Sequence, residues 1–527
     1  MIEETAKKML KLTIDGKEAE VPEGTTVLQA ARGLGIDIPT MCYLEGVRPQ
    51  TSCLMCVVKV NGNPNLVPSC SRPAEDGMVV ENNCDDVNDV RKTTLELLLS
   101  DHVGDCVAPC ANTCPAHMEI PQMLRQVVAG DKLGALITVK RDIPFPGILG
   151  RVCPEICEGG CRRGTFDTFE SICLVKRYVA DEDLDSGDPY VPECEPDTGY
   201  KMAIVGSGIG GMSCAYYLRE MGHQVTIFDC ADEAGGALRY KVPEEECPNS
   251  LVDQELDGLR KMGVTFEMGK DIGVDLTLPQ LQEEYDAVFL ALGPVTQDML
   301  QTLGVKGKDG KPTIKRDTLM TNIKGVFAGG GIVHQKQLAI RSVAAGKTAA
   351  KSMDQYVRGD KVVGRPKRFN SRSGKLTHDE VDTMMESVVN RQDRYEPQGS
   401  GTSFSPAEPR GFTDQEAVDE SARCLHCDCR AKDNCDLRDF SEFYEAKQTR
   451  FTGRRRSIQT MNEGDYVHLD SGKCIQCGLC VQIAADQVSK VEKIVTPVDE
   501  FGQRWEKVDK KSASELVALA SWADEKG

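Results

Sequence analysis

The chain has few aromatic residues, few histidines and no long apolar run. Of its 527 residues, 5% are aromatic, two are Trp and seven are His. No stretch approaches the ~18 consecutive apolar residues of a membrane-spanning helix. The first residues, MIEETAKKMLKL, contain no apolar core followed by a cleavage site, so they do not resemble a secretory signal. We therefore expect a soluble, cytoplasmic protein.

Basic residues are also in deficit. The chain has 63 Lys and Arg against 82 Asp and Glu, which gives a formal net charge of −19. A nucleic-acid partner is not expected, because phosphate binding needs a positively charged face. No Ser/His/Asp set and no paired carboxylates stand out, so we nominate no catalytic acid, base or nucleophile.

Cysteine, in contrast, is abundant. The chain has 23 cysteines, and a reducing compartment does not support a disulfide scaffold of that size. Most of them occur in closely spaced groups, which favours iron–sulfur ligation over inert buried thiols and implies sensitivity to oxygen. A chain of 527 residues is long enough for several domains with their own cores.

A glycine-rich segment in the middle of the chain predicts a nucleotide-binding βαβ unit. The apolar run Met202–Val205 predicts a buried strand, a helix follows through Met221, and Gln224–Phe228 predicts the next strand. Between the first strand and the helix stands Gly-x-Gly-x-x-Gly, and an acidic residue ends the second strand; these residues are Gly206, Gly208, Gly211 and Asp229.

Each residue of this segment has a predicted role. We expect Gly206 to permit the tight turn, Gly208 to let the backbone approach a pyrophosphate, and Gly211 to let helix and strand pack closely. Asp229 would accept a ribose hydroxyl. The alternative is a glycine-rich turn in an ordinary α/β domain.

The N-terminal region combines a predicted hairpin and helix with four cysteines, Cys42-x10-Cys53-x2-Cys56-x13-Cys70. Four thiolates satisfy a 2Fe-2S centre. The spacing resembles the 2Fe-2S domain at the N-terminus of the large iron–sulfur subunit of respiratory complex I and of related hydrogenases. That resemblance implies a β-grasp ferredoxin fold. The alternative is zinc, which also takes four thiolates.

Two further cysteine runs follow, separated by a predicted helical stretch over Ile120–Lys140. The first contains His102, Cys106, Cys110 and Cys114, and the second contains Cys153, Cys157 and Cys161. The motifs CVAPCANTCPAHMEIP, GRVCPEICEGGCRRG and SICLVKRYVAD resemble the small (beta) subunit of glutamate synthase and the N-terminal part of dihydropyrimidine dehydrogenase. The resemblance implies a helical domain with two interleaved 4Fe-4S clusters, one on Cys106, Cys110 and Cys161 and the other on Cys114, Cys153 and Cys157.

Each of these clusters lacks a fourth ligand. For the first, the nearest candidate is His102, since imidazole can replace thiolate; the alternative is a surface or capping histidine. For the second, the family position that carries Gln or Glu is Lys176 here, and an ammonium cannot ligate iron. Cys173 lies one turn earlier and is the candidate replacement, although it could equally be a small buried thiol.

The resemblance to the glutamate synthase-like flavoproteins continues after the βαβ unit and implies bound FAD. Its landmarks are Gly235 and Gly236, a strand over Tyr285–Leu292, and the segment GVFAGGG that contains Gly330 and Gly331, before a helix over Leu338–Asp354. Relatives usually carry Gly-Asp where this chain has Gly330-Gly331, so a carboxylate expected near the flavin is absent.

The second nucleotide-binding unit of that family is missing. Only the 31 residues Pro294–Lys324 stand where the family inserts its NADPH-binding unit, and they contain no Gly-x-Gly-x-x-Gly. A βαβ unit alone takes about 30 residues or more. We therefore expect the chain to lack its own nicotinamide site and to exchange electrons with another protein.

The C-terminal region contains seven more grouped cysteines: Cys424, Cys427, Cys429, Cys435, Cys474, Cys477 and Cys480. The stretch KCIQCGLCV matches the first three ligands of a bacterial ferredoxin motif, but the fourth position is Ala484. Three outcomes remain open: a remote thiolate from the first group, a 3Fe-4S cluster, or zinc. We expect at least one 4Fe-4S cluster here, and a helix over Ser512–Ala523.

The predicted architecture is multidomain, α/β and α+β. Its segments are a 2Fe-2S ferredoxin-like domain (1–82), a helical 4Fe-4S domain (83–200), a Rossmann-like FAD domain (201–360), a linker (361–412) and a cysteine-rich ferredoxin-like module (413–527). Chains of this type resemble accessory subunits of NAD(P)-linked, often electron-bifurcating, hydrogenases, transhydrogenases and formate dehydrogenases in anaerobes.

The resemblance implies an electron-transfer oxidoreductase subunit whose partners are other redox proteins: an NAD(P)-binding flavoprotein, a hydrogenase or dehydrogenase catalytic subunit, or a ferredoxin. Two alternatives stay open. One is a free-standing NAD(P)H:acceptor oxidoreductase of glutamate synthase small-subunit type. The other is a structural or assembly subunit whose cysteine groups hold zinc.

Overall fold

The computed structural model describes residues 8–334, 338–386, 388, 390–395, 411–453, 456, 460–463 and 467–490. The helix predicted over Ser512–Ala523 lies outside these residues. The chain divides into two compact units, each described by itself below. The first is formed from Met1–Gly104, Phe369–Ser373 and Arg430–Gly527, and the second from Asp105–Arg368 and Gly374–Cys429.

The described residues form strands and helices of mixed order. The strands are β1 Met9–Ile14, β2 Lys17–Pro22, β3 Val57–Val60, β4 Val67–Pro68, β5 Met78–Glu81, β6 Lys201–Val205, β7 Gln224–Phe228, β8 Thr265–Glu267, β9 Ala287–Leu290, β10 Gly307–Lys308, β11 Lys311–Pro312, β12 Val326–Ala328, β13 Thr460–Glu463 and β14 Val467–Asp470. The α-helices are α1 Val27–Gly33, α2 Asp85–Asp101, α3 Pro109–Thr113, α4 Ile120–Val128, α5 Lys132–Lys140, α6 Pro146–Val152, α7 Ile172–Leu184, α8 Ile209–Glu220, α9 Ala237–Tyr240, α10 Asn249–Lys261, α11 Leu278–Glu284, α12 Gln297–Thr302, α13 Ala339–Val357, α14 His378–Met385, α15 Asp414–Ser421, α16 Asp436–Phe443 and α17 Leu479–Lys490.

The first unit is built on a mixed five-stranded sheet in the order β2-β1-β5-β3-β4. β1 pairs with β2 antiparallel and with β5 parallel. Alternating side chains of β1, such as Leu12 and Ile14, face α1 and are almost fully buried. Thr26 and Gln29 form a capping box that fixes the start of α1. This sheet with one covering helix confirms the predicted ferredoxin-like fold class.

A second core of the first unit joins α2 and α16. Leu95 and Leu99 of α2 pack with Leu437 of α16 and with Met41 and Met55 from the cysteine-bearing loop. A buried guanidinium, Arg91, supports this loop: it donates to the carbonyls of Met55 at 2.9 Å and Val57 at 3.0 Å, and to Asn82 Oδ1 at 2.6 Å.

The second unit contains a parallel five-stranded sheet in the order β12-β9-β6-β7-β8. Helices α8 and α13 pack against each other at very short distance. A Cβ on Gly346 would lie 2.4 Å from the carbonyl oxygen of Gly210, so neither helix tolerates a side chain there. The parallel order and the β6-α8-β7 connection confirm the Rossmann-like fold that the sequence predicted.

Several element boundaries differ from the sequence-based expectation. The stretch Ile120–Lys140 forms two helices, α4 and α5, because Gly130 adopts a φ of +74° and Asp131 caps α5 by accepting from the Gly134 amide. The strand expected over Tyr285–Leu292 is shortened to β9. No helix among the described residues is long and apolar enough to cross a membrane.

Candidate functional site

The first cysteine set lies in the first unit, in the loops around β3 and β4. Cys42, Cys53, Cys56 and Cys70 are each at most 4% exposed. The Cys53 amide donates to Cys42 Sγ at 3.5 Å. The Cys53 side chain also hydrogen-bonds that sulfur, and the Cys70 side chain hydrogen-bonds Cys56, which lowers the pKa of the two accepting thiols. Four adjoining thiols on one buried loop fit a 2Fe-2S group.

The second set lies in the second unit and consists of Cys114, Cys153, Cys157 and Cys173. The Cys153 and Cys173 side chains are hydrogen-bonded to each other, and the charges of Cys114 and Cys153 act on Cys157. All four side chains are buried. The structure therefore brings Cys173 to the three cysteines that the sequence grouped, which suits four-thiolate ligation of a 4Fe-4S group.

Lys176 stands beside this set rather than in it. Its Nζ lies 3.2 Å from Cys173 Sγ, and the side chain is buried. Burial acts to lower the pKa of Lys176, but the charges of Cys173, Cys153 and Cys157 outweigh it and raise that pKa. The ammonium thus stays charged and offsets part of the negative charge of the thiolates.

A third set also lies in the second unit and joins residues far apart in the chain: Cys110, Cys161, Cys424 and Cys427. Burial raises the pKa of Cys110, and the charges of Cys424, Cys161 and Cys427 add to the effect. Burial likewise raises the pKa of Cys427, next to which lie the Arg162 guanidinium and Cys161. Cys106 and Cys429 meet beside this set, where the Cys429 amide donates to the Cys106 carbonyl at 3.3 Å.

The remaining C-terminal cysteines, Cys435, Cys474, Cys477 and Cys480, belong to the first unit. Cys435 precedes α16, and Cys480 is exposed on α17. Cys435 and Cys477 both pack against the core that includes Cys42 and Cys53 of the first set. Ala484, the position of the missing ferredoxin ligand, lies on α17.

His102 is placed in the first unit, whereas Cys106, Cys110 and Cys161 belong to the second. It caps the end of α2, and its neighbours include Lys473 and Asp470. Burial lowers the pKa of the imidazole. Within the described part of the chain, its Nδ1 is buried without a hydrogen-bond partner.

The glycine-rich loop has the geometry that a dinucleotide needs. Gly206 has a φ of +114°, and a Cβ there would lie 2.4 Å from the Ala291 carbonyl oxygen. A Cβ on Gly211 would lie 1.9 Å from the Gly206 carbonyl oxygen. Gly208 is the N-cap of α8, has no side-chain cap, and its missing Cβ faces open space. The N-terminal amides of α8 are therefore accessible to a pyrophosphate.

Asp229 stabilises this loop by accepting hydrogen bonds. One carboxylate oxygen accepts from the Ser207 amide at 2.6 Å and the Ser207 hydroxyl at 2.7 Å, and the other accepts from the Ala231 amide at 2.9 Å. The Cys230 side chain also hydrogen-bonds this carboxylate, so Asp229 serves the loop itself, and its predicted contact with a ribose hydroxyl stays a prediction. Gly235 and Gly236 adjoin the loop, where a Cβ on Gly236 would lie 2.9 Å from Gly208 Cα.

The segment of Gly330 and Gly331 starts a 3-10 turn after β12. Gly330 has a φ of +74°, and a Cβ there would meet the Ser342 side chain of α13 at 3.5 Å. The 31 residues Pro294–Lys324 form α12 and the β10-β11 hairpin. The residues present thus fit the adenine-nucleotide half of FAD.

The cysteine sets lie close together without converging on one point, so the geometry does not decide between iron–sulfur groups and zinc. Across the residues that the structure describes, no three or more His, Cys, Asp or Glu side chains converge on the position of one metal ion.

Comparison with known proteins divides the chain into three matched segments. Residues 7–84 match the family described as 2Fe-2S iron-sulfur cluster binding domain. Residues 82–187 match the 4Fe-4S domain II of dihydropyrimidine dehydrogenase, and residues 182–349 match the pyridine nucleotide-disulphide oxidoreductase family. The chain is built from the domains of an iron–sulfur oxidoreductase.

Its curated relatives are longer or differently composed proteins. The chain is 34% identical over 223 residues to the beta subunit of NADP(+)-dependent formate dehydrogenase from Moorella thermoacetica, covering 38% of this chain and 31% of that one. It is 36% identical over 211 residues to the glutamate synthase [NADPH] small chain of Bacillus subtilis, covering 40% and 42%. The chain thus spans less than half the length of these relatives.

Sequence reasoning missed three side chains that shape the sites. Ser207 lies within the glycine motif as a variable position, yet it carries the hydrogen bonds of Asp229. Arg163 lies two residues after Cys161, and Arg423 lies directly before Cys424. Both side chains are fully buried. A charged residue directly flanking a cysteine motif was the available signal, but a sequence does not show that such a side chain is buried.

Proposed function

We propose that this chain is an electron-relay subunit of a multi-subunit, NAD(P)-linked redox complex of the hydrogenase, transhydrogenase or formate dehydrogenase kind. The observation that carries the proposal is the combination of several buried cysteine sets with a single dinucleotide-binding loop. A flavin exchanges electrons singly or in pairs, whereas iron–sulfur groups exchange them singly. A chain with both suits conversion between two-electron and one-electron donors.

The chain's own residues supply the environment for this transfer. The first two cysteine sets are buried, which limits the access of water to their sulfurs, and burial and nearby charge are among the factors that set reduction potentials. Lys176 places a buried ammonium 3.2 Å from Cys173 Sγ, which favours the more negative, reduced form. At the nucleotide loop, the open face of Gly208 and the α8 amides would hold the pyrophosphate.

The short connection after β9 supports a partner-dependent role. The family resemblance predicts a second nucleotide-binding unit at this point, and Pro294–Lys324 instead form α12 and a hairpin of two-residue strands. The formate dehydrogenase relative is by its name a subunit. Electrons would therefore enter or leave through another protein, and the −19 net charge would favour a basic docking face on it.

Purification from the native host under anaerobic conditions tests this proposal. A tagged full-length chain should co-elute with at least one other redox subunit, and NADH or NADPH should bleach the flavin and cluster absorbance of that assembly. After the partner has been stripped with salt, the bleaching should stop and should return on add-back. Elution of the chain alone, with undiminished reduction by a nucleotide, would contradict the relay role.

A second candidate is a free-standing NAD(P)H:acceptor oxidoreductase. It is favoured by the match of residues 182–349 to the pyridine nucleotide-disulphide oxidoreductase family and by the glutamate synthase small-chain relative. In that case the stripped chain in the experiment above would retain nucleotide-dependent bleaching.

A further inference from the structure

The first of the two predicted 4Fe-4S clusters is incomplete in the matched segment. The match to the 4Fe-4S domain family ends at residue 187. Among the cysteines of this matched segment, Cys110 and Cys161 lie close to each other. Cys110 lies in α3, which packs closely on the turn before Cys161. A Cβ on Gly160 of that turn would lie 2.4 Å from Thr113 Oγ1 and 3.1 Å from the Pro109 carbonyl.

A segment from far along the chain reaches the same place, and two buried arginines hold it there. Arg163, two residues after Cys161, donates to the Arg423 carbonyl at 2.5 Å. Arg423, directly before Cys424, donates to the Thr168 carbonyl and hydroxyl, both at 2.9 Å. Both guanidinium side chains are 0% exposed. Hydrogen bonds in both directions therefore connect residues 161–168 with residues 423–424.

The C-terminal end of the segment, at Cys427 and Asp428, is also held by ion pairs and hydrogen bonds. Asp428 follows Cys427, and its two carboxylate oxygens accept from the Arg125 guanidinium, each at 2.8 Å. The Asp428 side chain is 1% exposed. Arg162, which pairs with Asp105, also hydrogen-bonds Cys427. Cys424 and Cys427 are thus held from both ends beside Cys161.

The local backbone of this segment is that of a sulfur-binding turn. His426 adopts a φ of +47°, which a non-glycine residue rarely does. Its amide donates to Cys424 Sγ at 3.4 Å. Such an amide stabilises a thiolate, and the turn presents the Cys-x-x-Cys pair to a common partner.

We propose that Cys110, Cys161, Cys424 and Cys427 are the four ligands of one 4Fe-4S cluster, so that a C-terminal Cys-x-x-Cys turn completes a site whose other two cysteines lie more than 250 residues upstream. Cys106 and Cys429 are then neighbours of the site and not ligands, and His102 serves elsewhere. Cys110 is buried in the core of the second unit, and Cys424 and Cys427 pack partly buried against that core. Thiolates in such a place are costly without a partner, and a bound cluster removes that cost. The assignment goes beyond the relay role and does not depend on it.

Iron counting on the full-length chain tests the assignment. After anaerobic reconstitution, the Cys424→Ser/Cys427→Ser variant should lose about four iron and about four sulfide per chain, together with the EPR signal of one reduced 4Fe-4S cluster. Its FAD content should be unchanged. The matched control, Cys106→Ser/Cys429→Ser, should keep the iron, sulfide and EPR signals of the unsubstituted chain.

The opposite pattern would overturn the assignment, because iron loss in the control with none in the Cys424/Cys427 variant would return Cys106 to the ligand set. Bound zinc in the unsubstituted chain, with no iron lost from the variant, would also overturn it.

Should the double variant not fold, Cys427→Ser alone provides the readout. Loss of one ligand should convert the site to a three-iron cluster with an EPR signal in the oxidised state, and an unchanged four-iron spectrum would contradict the proposal. Neither outcome involves nucleotide or partner, so a failure here is distinct from a failure of the relay role.

Discussion

Two Cys-x-x-Cys turns of this chain have the same local geometry and different surroundings. In the turn Cys424–Cys427, His426 has a φ of +47° and its amide lies 3.4 Å from the first sulfur. In the turn Cys474–Cys477, Gln476 has a φ of +55° and the same 3.4 Å contact. The four-residue motif therefore determines the turn.

The surroundings decide how each turn is protected. The first is enclosed in the second unit by Arg163, Arg423 and the Arg125–Asp428 pair. The second lies at the surface of the first unit, supported by Arg456, which donates to the Cys474 carbonyl at 3.0 Å and pairs with Asp101. All four cysteines of the two turns are partly buried, but the charged side chains that flank them differ in burial. Equal motifs with such different flanking residues should differ in stability, in iron retention and in ligand choice.

The largest expected difference is in the free energy of unfolding of the variants at Arg423 and Arg456, the arginines that support the two turns. Arg423→Ala should lower the free energy of unfolding by about 3–5 kcal/mol, because it leaves the Glu420 carboxylate buried, at 0% exposure, without its guanidinium partner. Arg456→Ala should cost about 1 kcal/mol or less, since that side chain and Asp101 are 27% and 46% exposed. Denaturant unfolding of both variants measures the contrast, and similar losses would show that burial does not distinguish the two turns.

Ligand choice at the exposed turn is the next contrast. We expect Cys435 to be the fourth ligand beside Cys474, Cys477 and Cys480, because Cys435 and Cys477 pack on the same core. Cys435→Ser should lower the iron content of the chain by at least one iron, because a four-iron site that loses one ligand converts to a three-iron cluster or is lost. His102→Ala, which deletes the buried imidazole near Lys473, is the competing variant. Iron loss in His102→Ala with none in Cys435→Ser would identify histidine as the ligand.

Iron release should separate the two turns kinetically. With Cys480 exposed and Cys110 buried, a chelator added to the reduced, reconstituted chain should extract iron first from the C-terminal site. EPR spectra recorded during chelation follow each cluster by its own signal. Simultaneous loss of both signals would indicate that global unfolding, and not local exposure, controls release.

A last prediction concerns a buried carboxyl of the second unit that belongs to none of the cysteine sets. Burial raises the pKa of Glu255 from 4.5 to about 7, and the carboxylate accepts from the Gly147 amide at 2.8 Å. Because the folded state holds this proton more tightly, the contribution of Glu255 to stability is greatest below pH 4.5 and declines as the pH rises to about 7.

Glu255→Gln should remove this decline in the free energy of unfolding. Its size is about 3 kcal/mol for a pKa shift of this extent. Unfolding measured between pH 5 and 8 checks the slope, with the exposed Glu283→Gln as the control. An unchanged slope in Glu255→Gln would mean that the carboxyl titrates normally in the folded protein.

Sequence reasoning was most successful where chemistry is local. The glycine spacing at Gly206–Gly211 predicts the loop after β6, because a Cβ on Gly206 or Gly211 would clash with backbone a few residues away or on the adjacent strand, while Gly208 leaves the start of α8 open. The hairpin and helix before Cys42 likewise predict the mixed sheet of the first unit. The iron–sulfur and flavin-type domain families confirm both.

Prediction was weakest where distant segments meet. Nothing in the spacing of Cys424 and Cys427 points to Cys110, since the link runs through Arg163 and Arg423, whose burial follows from tertiary packing. The stretch Ile120–Lys140 is helical as predicted, but its division at Gly130 and Asp131, which end one helix and cap the next, was not predicted. The ligand roles of the cysteines and of His102 stay predictions.

An anaerobic titration of the isolated, reconstituted chain tests the relay role most directly. NADH and then NADPH are added while flavin and cluster absorbance are followed, and dithionite serves as the positive control. We expect no bleaching by either nucleotide and full bleaching by dithionite, because Pro294–Lys324 form only α12 and a hairpin. Rapid stoichiometric reduction by one nucleotide would contradict this account and make the chain an oxidoreductase in its own right.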